Sequence, residues 1–197
     1  MATFAELVAD VKLITNRPDL DSETKHAVKV ATLKAHHSDF YPKDILEQGI
    51  QWNPIAYQQS LSYRTLIPRW RAFKWLRKYD ATGSTPGDFF TFLLPEQTVD
   101  EFDRNRDNVC YIAGEQLEIR SDTEDSYMLL SCYVNPYLDE NPFNSWIAID
   151  HPYAIEYEAA SKIFKMIGWD EQAAAMKQEV VEQFTLLRNN NLFGLGY

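Results

Sequence analysis

Four histidines are the first candidates for metal binding or proton transfer: His26, His36, His37 and His151. Two histidines that chelate a metal from one helix stand four residues apart, because that spacing places both on the same face. His36 and His37 are adjacent, so on a helix their side chains would point about 100° apart. The pattern is typical of surface or helix-end histidines, and we predict no metal site and no cofactor.

The common motifs of phosphate binding and nucleophilic catalysis are also missing from the sequence. Its one Gly-x-Gly, at residues 194–196, has no helix after it, whereas a dinucleotide site needs one. The acidic run at residues 122–125 is typical of a solvated loop, with a weak cation site as the alternative. Cys110 and Cys132 lie in apolar runs, which predicts buried reduced thiols. We therefore predict that the protein is not an enzyme.

A run rich in basic and aromatic residues, from Arg64 to Tyr79, carries the most distinctive chemistry in the chain. Such a run could bind single-stranded nucleic acid through charge and stacking. It could equally bury its rings and pair its cations with acidic groups of a neighbouring copy or partner. We favour the second interpretation because the net charge is −10. The interface residues predicted on this basis are Arg69, Trp70, Arg71 and Trp75.

The bulk composition is that of a folded, single-domain protein. The 197 residues are 45% hydrophobic and 24% charged. Up to Asp80 the chain has 12 basic and 9 acidic residues, and beyond it 7 and 20. This asymmetry indicates either complementary surfaces or ordinary solvated surface. The first ten residues lack the regions of a signal peptide, and no stretch approaches the roughly 20 apolar residues of a membrane helix, so we expect synthesis in the cytoplasm and no membrane contact.

Helical spacing predicts two helices at each end of the chain. Thr3 and Glu6 form a capping-box pattern, and the first helix should end near Pro18, because proline cannot extend a helix. The N-terminal pair occupies residues 1–40 and the C-terminal pair residues 143–188. An extended, apolar and glycine-rich tail follows at residues 189–197, after three asparagines.

The middle of the chain, residues 41–136, changes to the alternation that is typical of strands. The run from Arg69 to Tyr79 fits a strand and a helix equally well. A hairpin turn is predicted at Ala113-Gly114-Glu115, and we expect Met128–Val134 to be the third strand of that meander. Segregated helices and strands indicate an α+β fold: an antiparallel helix bundle with a central antiparallel β-sheet or hairpin insertion and an extended C-terminal tail.

Eight segments, in order along most of the chain, carry a resemblance to a known family. They are Ile14–Leu20, Ala27–Ala35, His37–Asp44, Tyr111–Arg120, Tyr133–Tyr137, Asn144–Ile147, His151–Ile155 and Glu158–Ala160. Together they resemble the adaptor, or connector, proteins in the neck of tailed bacteriophages. The length of the chain and its helix–sheet–helix layout are similar to those of the adaptors of short-tailed phages. The run from Arg69 to Tyr79 departs from the family's pattern.

The resemblance implies a structural virion protein in the phage neck, without catalytic residues. Twelve copies would form a ring that docks beneath the portal protein, contacts a tail or nozzle protein and extends the DNA channel without binding DNA specifically. A C-terminal arm would reach the portal, and we assign that contact to Leu192, Phe193, Leu195 and Tyr197. Another head- or tail-completion protein, and a nucleic-acid-binding module that uses residues 64–79, are the alternatives.

Overall fold

A computed structural model describes residues 3–51, 58–80, 82–94, 97, 108–121 and 127–193. The protein is a mixed α+β structure, as predicted, with helices near both ends and mainly antiparallel sheets between them. The acidic run at 122–125 and the end of the chain, 194–197, lie outside the described residues.

The described residues form six α-helices and a short 3-10 helix. The α-helices are α1 (Phe4–Thr15), α2 (Asp21–His36), α3 (Tyr63–Leu66), α4 (Trp146–Asp150), α5 (Pro152–Met166) and α6 (Asp170–Phe193), and the 3-10 helix is Pro42–Asp44.

Ten strands are described. They are β1 (Ile45–Gln51), β2 (Gln58–Ser62), β3 (Trp70–Tyr79), β4 (Pro86–Phe89), β5 (Thr91–Phe92), β6 (Val109–Ala113), β7 (Gln116–Arg120), β8 (Tyr127–Val134), β9 (Tyr137–Leu138) and β10 (Phe143–Asn144).

The chain divides into two compact units, each with its own hydrophobic core. Both ends of the chain build a helical unit, Met1–Asp44 with Asn135–Tyr197, and the segment between them, Ile45–Val134, builds a β unit. The boundaries fall close to the predicted β-rich middle at 41–136. The organisation as a single domain stays a prediction.

Helix α5 is the centre of the helical unit, because it packs against α1, α2, α4 and α6. Local sequence explains how the helices begin. The Thr3 side chain accepts from the Glu6 amide while the Glu6 carboxylate accepts from the Thr3 amide, which is the predicted capping box. Pro152 occupies the first turn of α5, where a missing N–H costs nothing.

Helix α6 contradicts the predicted helix end. It continues through the three asparagines to Phe193, so residues 189–193 are helical and not an extended tail. Asparagine disfavours a helix only weakly, whereas proline breaks one. The first glycine after the start of α6 is Gly194.

Two four-stranded sheets share the core of the β unit, in the strand orders β1-β8-β3-β4 and β2-β7-β6-β5. The predicted hairpin is confirmed, because β6 pairs with β7 around Gly114, whose φ is +59°. The expected meander was wrong. Strand β8 belongs to the other sheet, where it pairs with β1 and β3 and its side chains Met128, Leu130 and Cys132 lie in the core.

Candidate interaction surfaces

Strand β3 holds most of the basic and aromatic run, and its alternation divides the run between two faces. Leu76 pairs with Leu130, and both lie in the core between the sheets. The next residue, Arg77, therefore points to the opposite side, because successive side chains of a strand alternate. We call this second side the outer face of the β1-β8-β3-β4 sheet.

The four residues predicted as one interface do not share one surface. Trp70 packs against the core, with its ring 4.7 Å from that of Tyr63. Trp75 lies on the outer face, where its ring meets Phe89 at 5.6 Å between centroids. Arg69 precedes the strand, and Arg71 lies at a register shift between Trp70 and Ala72. Because five residues separate the two tryptophans, alternation along the strand places them on opposite sides. The two register shifts between them cancel and leave this unchanged.

Three cations of the run have partners within the β unit. Arg77 lies over the Phe89 ring at 4.6 Å and its Nε donates to the Gly87 carbonyl at 2.8 Å. Lys74 lies over the Tyr133 ring at 5.9 Å, and Arg64 forms an ion pair with Glu115. The run is therefore a mixed aromatic and cationic surface rather than a row of open phosphate contacts.

Beneath Trp75, on the outer face, lies an unsatisfied hydroxyl. Ser131 pairs with Trp75 across the strands and is fully buried, and its Oγ has no hydrogen-bond partner among the described residues. Phe89 remains 54% exposed beside it. Contact with another molecule would cover the exposed Phe89 ring and bury its apolar area.

The predicted portal-contact residues lie at the end of the long helix α6. The backbones of Leu192 and Phe193 belong to its last turn, whereas Leu195 and Tyr197 lie outside the described residues. The exposed Arg188, one turn earlier, donates to the Ser38 carbonyl at 2.9 Å and ties this part of α6 to the segment after α2.

A buried polar cluster in the helical unit was missed by sequence reasoning. His36 was expected at the surface, but it is 1% exposed. Its Nδ1 lies 2.8 Å from Asp44 Oδ1 and its Nε2 lies 2.9 Å from Ser145 Oγ. Trp146 Nε1 also donates to Asp44 Oδ1 at 2.8 Å. The position of His36, four residues after the buried Thr32 and eight after Val28, was the available signal.

The order serine, histidine, aspartate in this cluster resembles a nucleophilic triad, but its surroundings are structural. Ser145 is the N-cap of α4 and accepts from the Ala148 amide at 3.2 Å. Ser145 and Asp44 are 3% and 4% exposed, so the hydroxyl is shielded from solvent. The cluster joins the 3-10 helix and α4 to the end of α2.

The two thiols are buried and free, in agreement with the sequence. Loss of solvation raises the pKa of Cys110 to about 12 and that of Cys132 to about 11. Both thiols therefore stay protonated and weakly nucleophilic at neutral pH.

Among the described residues, no three histidine, cysteine or acidic side chains are grouped so that they could hold a metal ion. The helices in the same part of the chain include none whose length and apolar character would let it cross a membrane. Neither a protein-family model nor a curated protein sequence matches this chain.

Proposed function

We propose that this chain is a structural protein of a tailed-phage particle, an adaptor whose copies form a ring beneath the portal and join the capsid to the tail. The observation that carries the proposal is the layout of the chain. Both termini build one helical unit, and the β unit is inserted between them. This layout agrees with the helix–sheet–helix order that the resemblance implies.

The surfaces support an assembly role. The outer face of the β1-β8-β3-β4 sheet presents Trp75, Arg77 and Phe89, a combination of rings and guanidinium that is enriched at protein interfaces. We propose that the β unit contacts the tail or nozzle protein, or a neighbouring subunit, through this face. The helical unit then supplies the ring and the C-terminal contact with the portal.

The nucleic-acid alternative has less support. A strand that binds single-stranded DNA needs stacking rings and free cations along one groove. In β3 the side chains alternate between two faces, and Arg77 already contacts Phe89 and Gly87. Binding to single-stranded DNA at low salt that falls steeply with added salt would revive this alternative.

Mixing the chain with its portal protein tests the proposal. We expect a complex much heavier than either component, measured by light scattering after gel filtration. A chain that forms no complex at any ratio or salt concentration would contradict the adaptor function.

Removal of residues 192–197 tests the C-terminal contact. We expect the shortened chain to fold normally, because most of α6 remains, and to bind the portal at least about tenfold more weakly, since apolar side chains at a terminus gain burial only against a partner. Leu186→Ala is the matched control, because it removes a half-exposed apolar side chain from α6 but keeps the end of the chain. Equal portal affinity of the shortened and complete chains would show that residues 192–197 do not contribute to portal binding.

A further inference from the structure

An acidic groove of about 580 Å³ lies between α1 and α5 in the helical unit. Its charged residues are Glu6, Asp10 and Glu156, and none of the residues that line it is basic. Glu6 already caps α1, since it accepts from the Thr3 amide at 2.7 Å. Within the part of the chain that the structure describes, Asp10 and Glu156 have no ion-pair partner.

Glu156 is the unusual member of the groove because it is 4% exposed and its carboxylate has no partner among the described residues. Burial, helped by the neighbouring charge of Asp10, raises its pKa to about 7. The electrostatic attraction between a carboxylate and a cation is stronger at a buried site than in water, because the local dielectric constant is lower.

The rest of the groove suits a long cationic side chain. Leu13 is 80% and Tyr153 is 55% exposed, and the Tyr153 ring stacks on Tyr157 at 5.6 Å. Apolar walls can cover the alkyl stem of a lysine, and the ring faces attract its ammonium group.

A cluster of lysines occurs on the same helical unit, around a second cavity of about 400 Å³ that is lined by α2, α5 and α6. Glu158 binds two of them, Lys34 at 2.6 Å and Lys162 at 3.6 Å. Lys165 and Lys177 are exposed and form no ion pair with other described residues. Two unpaired cations thus match the two unpaired carboxylates of the groove.

The groove and the lysine cluster lie on opposite sides of α5. Glu156 and Lys165 are nine residues apart, as are Tyr153 and Lys162, and nine residues rotate a helix by about 180°. One copy therefore cannot bring its own lysines into its own groove. Two copies in the same orientation can do so, with the lysine side of one against the groove side of the next.

We propose that the α1–α5 groove of one copy binds Lys165 and Lys177 of a second copy of this chain, in a head-to-tail contact. Because two different surfaces meet, each new copy leaves one groove and one lysine cluster open, and the repeat closes into a ring or continues as a filament. This inference rests on the proposed function, in which copies form a ring, and it names the residues of that contact.

Two double variants test the contact in the full-length chain. Asp10→Asn with Glu156→Gln disables the groove but keeps the lysines, and Lys165→Gln with Lys177→Gln does the reverse. Glu182→Gln with Lys29→Gln is the matched control, because neither residue lines the groove or the lysine cluster. Glu182 is exposed, and Lys29 is partly exposed and pairs with the exposed Asp139. Sedimentation velocity over a range of concentrations and salt gives the mass of the assemblies.

We expect the wild-type chain and the control to form assemblies that weaken as salt rises, and each double variant to associate at least about tenfold more weakly. A mixture of the two double variants has one intact groove and one intact lysine cluster per pair, so it should stop at dimers. Monomeric wild-type chain at all concentrations, or double variants that assemble as well as the wild type, would overturn the inference. If the chain still binds the portal when either of these results is found, the inferred contact is wrong but the adaptor function is not contradicted.

Discussion

Glu156 is a carboxyl group whose burial opposes its ionisation. It lies in α5, buried, and faces Glu6 and Asp10 of α1. Its pKa is raised from 4.5 to about 7, first by burial and then by Asp10. Between those two pH values the folded chain keeps a proton that the unfolded chain releases. Stability is therefore highest below the unfolded value and falls as the pH rises through the folded value.

Glu156→Gln should remove this pH dependence. At pH 8 we expect the variant to be more stable than the wild type by roughly 1–3 kcal/mol, because a neutral amide carries no buried charge. Urea unfolding at low protein concentration between pH 5 and 8 measures the difference. Glu182→Gln, at an exposed site on α6, is the control. An unchanged pH slope in Glu156→Gln would show that another group causes it.

The polar cluster at His36 stabilises the helical unit through satisfied donors. Asp44→Ala should leave His36 Nδ1 and the Trp146 indole without their acceptor. We expect it to lower the free energy of unfolding by about 2–6 kcal/mol, since each of the two unpaired donors costs about 1–3 kcal/mol. Asp139→Ala removes an 83% exposed partner of Lys29 and should cost less than about 1 kcal/mol. Chemical unfolding of both variants measures the two costs. A small loss for Asp44→Ala would mean that water replaces the carboxylate.

At the scale of the element, strand β3 has a core face and an outer face, and the proposed function assigns partner binding to the outer face alone. Trp70→Ala removes a ring from the core side and should lower the free energy of unfolding by about 2–4 kcal/mol. Trp75→Ala, on the outer face, should lower it by less and, under the proposed function, should weaken binding to the tail or nozzle protein or to a neighbouring subunit. Unfolding and binding measurements on both variants separate the two effects. If Trp75→Ala destabilises the chain as much as Trp70→Ala and leaves binding unchanged, the outer face is only structural.

At the scale of the molecule, the two cores predict two unfolding transitions. The helical and β units each bury their own apolar cluster, so calorimetry should resolve two components. Asp44→Ala should shift only the component of the helical unit, and Trp70→Ala only that of the β unit. A single transition that both variants shift equally would show that the units unfold together.

Local sequence signals predicted much of the fold and little of the candidate sites. The capping box at Thr3, the proline at the start of α5 and the glycine turn at Gly114 each act within a few residues, so the helix starts and the hairpin followed from the sequence. The end of α6 did not, because three asparagines disfavour a helix without breaking it.

What the tertiary structure alone decided is which distant residues meet. The choice of β1 and β3 as the partners of β8 and the burial of His36 both depend on contacts between remote segments. The sequence by itself determined an α+β chain with helices toward both ends, because periodicity and capping are local. Pairing and burial are not local, since each depends on the free energy of the assembled core, and so the acidic groove and the outer face emerge only from the fold.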